Sequence, residues 1–213
     1  MDTATTDTAT VVDVFLLLLI GIGPKIALLP YLELTAGLDA DARRRIVRTM
    51  LTTAAVIAVI LVVFGELLRR LLHFSTGALA IAGGILLLII AVTMVLGQDD
   101  AGAGHDADGD PHRLAMFPLA VPYLLNPAGI VVLVTASAEA RTAGDLAIVL
   151  IPLAAVLVLD TAVLAGANRV SPHLDPARML VTEKVFGFLL AALAVQLALN
   201  GLADIGLIHA VEH

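Results

Sequence analysis

Apolar residues in this chain do not alternate with polar ones; they gather into six stretches of roughly 20 residues or more, parted by short polar breaks. About 20 residues at 1.5 Å each cross the ~30 Å hydrocarbon core of a bilayer, so runs of this length read as membrane-spanning helices. The stretches run from about Val11 to Thr35, Ile46 to Leu68, Gly77 to Leu96, Leu114 to Ala138, Leu146 to Ala167 and Val185 to Leu202. The pattern predicts an all-α integral membrane protein of six transmembrane helices, with residues 1–213 forming a single membrane domain. Polar turns separate the spans. Asp39 or Asp41 is placed to cap the second helix, because a short side-chain oxygen satisfies the orphan N–H groups at a helix start.

The first span is interrupted near its centre by Gly21-Ile22-Gly23-Pro24-Lys25. Proline removes a backbone donor and clashes with the preceding turn, and glycine weakens a helix. A lysine at mid-bilayer costs about 2.5–3.5 kcal/mol on insertion scales. A helix facing lipid gains nothing from such a sequence, whereas a helix broken beside a polar cavity can use all of it. Two readings stand: a proline-kinked helix whose lysine snorkels or pairs, and a substrate or ion site. The fourth span carries a second break, Asn126-Pro127-Ala128-Gly129, and Pro127 lies 103 residues after Pro24. Gly83 and Gly97 match Gly187 and Gly201 at an offset of 104. Three landmarks at offsets of 103 or 104 predict two repeats, about 11–97 and 113–205, joined by a linker at 98–112. Three spans per repeat is an odd number, so the second repeat enters the membrane upside down. The expected architecture is an inverted-topology pair with a proline-broken first helix in each half.

Composition narrows the chemistry. Mean hydropathy is +1.01 and only 15% of residues are charged, values of an integral membrane protein. There is no cysteine, which excludes disulfides and thiolate metal sites. No basic patch suited to nucleic acid occurs. The N-terminal segment, Met1 to Thr10, carries two aspartates and no positive region, and is expected not to be a cleaved signal. The linker residues Asp106, Asp108 and Asp110 resemble the start of a calcium loop, with His105 and His112 nearby. Pro111 stands where that loop needs glycine and Phe117 where it needs glutamate, so a solvated acidic linker is the better reading. Glu66 and Arg70, spaced i, i+4, predict an ion pair at a helix end.

Loops after the odd spans hold eight Lys or Arg residues and those on the opposite side hold three, Arg69, Arg70 and Arg141. The excess of positive charge marks the cytoplasmic side, so both termini are expected outside the cytoplasm of a multi-pass cytoplasmic-membrane protein.

Lys25 and Asp160 are the two ionisable residues expected deep in the membrane. Opposite charges buried in lipid should find one another, either as a static pair or as a site where substrate or a proton competes for one partner. At a broken helix, unpaired N–H groups can hold a carboxylate and unpaired C=O groups an ammonium, so a zwitterion would satisfy both. Asn126, Thr135, Ser137 and Gln196 are polar residues within spans that could line a cavity or serve as packing groups.

Several stretches together give the chain a familiar look. These are the Pro24 break followed by Leu32 to Thr35, then Arg43-Arg44-Arg45, Ile81 to Leu87, Phe117 to Pro122, and Gly187 through Ala194-Val195-Gln196 to Gly201. Over nearly its whole length the chain resembles the MarC family of six-span membrane proteins, also described as neutral amino acid transporters. It departs from the family's pattern at Gly23, where an acidic or amide residue is usual, and at Asn126-Pro127-Ala128-Gly129, where Gly-Pro-Gly is usual. Lys25 is likewise not a residue the family leads one to expect.

The resemblance and the residues together imply a secondary transporter for a small polar solute, with a neutral amino acid the best fit and proton coupling as an option. The expected binding residues are Gly23, Pro24, Lys25, Asn126, Pro127, Gly129, Thr135 and Gln196, with Asp160 as counter-charge or coupling group. The alternative is a non-transporting membrane scaffold in which Lys25 and Asp160 form a structural pair. No enzyme motif, cofactor or metal is expected. The expected partners are the bilayer and a small-molecule substrate, with a homo-oligomer left open.

Overall fold

The computed structural model describes residues 3–96, 111–140, 142–170 and 176–208. Among these no strand occurs; the chain is built from helices α1 (Thr3–Ile22), α2 (Pro24–Leu34), α3 (Ala40–Leu72), α4 (Thr76–Leu96), α5 (Pro111–Leu114), α6 (Pro127–Glu139), α7 (Ala143–Val170) and α8 (Pro176–Asp204). An irregular segment, Ala115–Leu124, links α5 to the turn before α6.

Five helical stretches are long and apolar enough to cross a membrane, and six if the bent pair His112–Leu124 and Pro127–Glu139 is one span. Their order and positions follow the hydropathy pattern, though several helices begin before their apolar runs, α1 already at Thr3. The second helix begins at Ala40, earlier than the apolar run, because Asp39 caps it by accepting a hydrogen bond from the Ala42 N–H at 2.6 Å. The last helix likewise begins early, at Pro176, since a proline in the first turn loses no helical hydrogen bond.

Leu18, Ile22, Tyr31, Met50, Leu119, Leu133, Leu153 and Leu164 are among the fully buried side chains of one core, shared by α1, α2, α3, α6, α7 and the irregular segment. A smaller core joins Ile26 of α2 and Ala128 of α6 to Leu87, Ala91 and Met94 of α4 and Leu190 and Ala194 of α8. Helices α4 and α8 pack along their lengths in opposite directions. Gly77 meets Gly201, Gly84 meets Ala194 and Ala198, and Gly187 meets Ala91 and Met94. Small residues let these backbones approach closely, which is how helices associate where lipid removes the hydrophobic drive. Large apolar side chains such as Val56, Leu71, Ile89, Val158 and Phe188 are exposed around the outside, where acyl chains solvate them.

Candidate functional site

Both expected breaks are present, and they differ. At the first, α1 ends at Ile22, Gly23 is extended (φ −75°, ψ 158°) and Pro24 opens α2. Gly23 supplies no side-chain cap. Pro24 has no N–H, and the first-turn N–H groups of Lys25 and Ile26 have no acceptor within α2. The second break is wider. Phe117 and Val121 are extended inside the irregular segment, each before a proline, Pro118 and Pro122, in a cis peptide. The residue before proline is driven out of the helical region by the ring, so two prolines four apart prevent a regular helix here. Asn126 then caps α6, accepting a hydrogen bond from the Gly129 N–H at 3.0 Å, and Pro127 takes the first helical position. The two arms of this span meet at 70°.

The breaks touch. The Asn126 N–H donates to Gly21 O at 3.1 Å, and its side-chain Nδ2 donates to Ile20 O at 3.2 Å. Those carbonyls end α1 and have no donor within it. Asn126, fully buried, therefore satisfies the C-terminal end of one helix and the N-terminal end of another. Gly21 and Gly129 sit backbone to backbone; a Cβ on either would fall inside van der Waals contact of the other. The second arm of the first span, α2, packs on the irregular first arm of the fourth.

Asp160 lies on α7, which packs against α1 and α3, within the span Gly144–Ala167. It is fully buried, and neither carboxyl oxygen has a hydrogen-bond partner among the described residues. An isolated charge in a low-dielectric interior is expensive, so this carboxyl needs a counter-charge or a proton. The expected counter-charge, the Lys25 side chain, lies outside the described residues. The next residue, Thr161, donates its hydroxyl to Leu157 O at 2.7 Å along its own helix.

The remaining expected polar residues scatter. Thr135 is half-buried on α6. Ser137 is buried and accepts from the Glu66 N–H at 2.9 Å, tying α6 to α3. Gln196 donates to Asn200 at 2.8 Å along α8 rather than into the crossing. Glu66 pairs with Arg70, as its spacing predicts, and also with Arg69 at 2.7 Å. Asp106, Asp108 and Asp110 of the suspected calcium loop lie outside the described residues; among the described ones no group of three His, Cys, Asp or Glu could hold a metal. Sequence reasoning missed the double capping by Asn126. The signal was present, since an asparagine directly before a proline is both a turn former and a helix cap.

The fold and the crossing define a polytopic helical membrane protein organised around two broken spans. Residues 8–206 match the family model described as MarC family integral membrane protein, and the chain belongs to that family. It is 30% identical over 175 residues to a UPF0056 membrane protein of Methanocaldococcus jannaschii, covering 81% of this chain and 85% of that one. It is 24% identical over 191 residues to the UPF0056 inner membrane protein MarC of Salmonella typhimurium, covering 82% and 86%. No solved structure matches.

Proposed function

We propose that the protein is a secondary transporter of the cytoplasmic membrane that moves a small polar solute, with a neutral amino acid fitting best. The observation that carries this reading is Asp160, a fully buried carboxyl in a membrane span with no partner among the described residues. A static packing group would be expected to have its hydrogen bonds met. A group that exchanges a proton or a cation must have a state in which they are not. In this reading Asp160 is the coupling group. The uncapped N–H groups that follow Gly23-Pro24 face a solute carboxylate, and Lys25, Asn126, Pro127, Gly129, Thr135 and Gln196 belong to the binding region and its support. The contact of α1 with α6 and of α2 with the irregular segment supports an inverted-topology pair of three-helix repeats, whose two halves would rock about the crossing. Both termini then lie outside the cytoplasm, with the arginines at the start of α3 inside. The protein carries out no covalent chemistry in this reading.

One observation favours the scaffold alternative. At the crossing, Asn126 directs its oxygen and one N–H at the backbone of the protein itself, which is what a structural joint would do. Flux in liposomes separates the two. Purified protein is reconstituted with an imposed proton gradient and a panel of labelled amino acids, alongside Asp160→Asn. Gradient-driven uptake that falls to background in Asp160→Asn, with the variant folded, is the expected result. Absence of flux for every solute in the folded wild-type protein leaves the scaffold.

A further inference from the structure

Helix α3 is 33 residues long, about 50 Å at 1.5 Å per residue, against the ~30 Å of a hydrocarbon core. Its surplus has to stand in the headgroup layers. The first turns hold Arg43, Arg44, Arg45 and Arg48, which fixes that end at a membrane surface. Here the structure has a cleft of 640 Å³ between α3 and the short helix α5, which pack on one another. It is lined by Arg45, Ile46, Arg48, Thr49 and Thr52 of α3 and by His112 of α5, with Ile46 itself buried.

The arginines at the two ends of α3 are treated differently. At the far end Arg69 and Arg70 share one carboxylate partner, Glu66. At the cleft, neither Arg45 nor Arg48 forms a salt bridge among the described residues; Arg45 Nε reaches only the Asp41 carbonyl, at 3.5 Å. The carboxylates of this turn are Asp39, whose oxygen is held by the Ala42 N–H, and the exposed Asp41. Two guanidinium groups left open on one side of a cleft are a donor set for an oxyanion, and arginine's planar fork matches phosphate in particular.

We infer that this cleft seats a phosphate group. Its level along α3 makes the phosphodiester of an anionic phospholipid the natural occupant, while free inorganic phosphate presents the same oxygens. Basic pockets between helix ends at the cytoplasmic face hold lipid headgroups in this way.

Native mass spectrometry of the full-length protein in detergent tests the inference. Equal amounts of phosphatidylglycerol and phosphatidylcholine are added to wild type, to Arg45→Gln/Arg48→Gln, and to Arg44→Gln, whose arginine does not line the cleft. Wild type and Arg44→Gln should retain phosphatidylglycerol over phosphatidylcholine, and the double variant should lose about tenfold of that retention. Excess inorganic phosphate identifies the source. If it displaces the lipid, the seat also takes the free anion; if it does not, the seat is for a headgroup alone. Equal retention of the two lipids by wild type overturns the inference, as does retention that survives in the double variant. If the double variant fails to fold, the single Arg48→Gln, at an exposed position, should still lose about threefold of the retention, and no loss there overturns the inference equally.

Discussion

The two broken spans solve one problem in opposite ways. At Gly23-Pro24 the helix restarts with no side chain attending to its first N–H groups; at Asn126-Pro127 a single buried amide caps the restart and reaches across to the end of α1. The first break bends less than the second, and Val11–Leu34 still reads as one apolar span. The second is bent by 70° and preceded by ten irregular residues. The difference teaches that a proline fixes where a membrane helix breaks but not what the break is for. That depends on the residue before it: glycine leaves backbone donors open, and asparagine closes them.

This comparison can be broken most severely at the contact between the spans. Gly129→Leu would force a branched side chain into the backbone of Gly21, and the expected loss is about 3 kcal/mol. Urea or thermal unfolding in detergent reads it, and a variant as stable as wild type would mean that the spans do not cross there. Asn126→Ala removes the cap and the bond to Ile20 together, with an expected cost of about 2 kcal/mol in the same assay.

The converse exchange sharpens the point. Adding a cap at the first break through Gly23→Asn should not stabilise the protein, because a Cβ there collides with the carbonyl of Leu19. A loss of about 1 kcal/mol is expected. A gain would show that the open N–H groups at Pro24 merely lack a cap. Smallest is Gln196→Leu, away from the crossing, which should change stability by less than about 0.5 kcal/mol. A larger effect would move the centre of the molecule towards α8.

Much of this was legible in the chain. The spans are encoded in hydropathy alone, and Val11–Leu34, Thr76–Leu96 and Gly144–Ala167 fall within a residue or two of the apolar runs. The breaks were legible because glycine and proline act locally. The irregular segment was readable in principle from Pro118 and Pro122, yet a run with mean composition like its neighbours reads as one span. What did not show was anything requiring two distant segments at once. That Asn126 turns to Ile20 and that His112 lines a cleft with Arg45 and Arg48 depend on helix rotation, which hydropathy leaves free when most faces are apolar.

The close approach of Gly21 and Gly129 also has a mechanical side. Side chains that interdigitate act as teeth, and teeth resist turning. Where the two backbones meet there are few, so in the transporter reading proposed above this point serves as the pivot of the scissors, and the bonds from Asn126 to Ile20 and Gly21 keep the rivet from sliding. If the proposed transport cycle runs, spin labels at the outer ends of α1 and α6 change separation when substrate is added, and labels placed one turn from the rivet hold theirs.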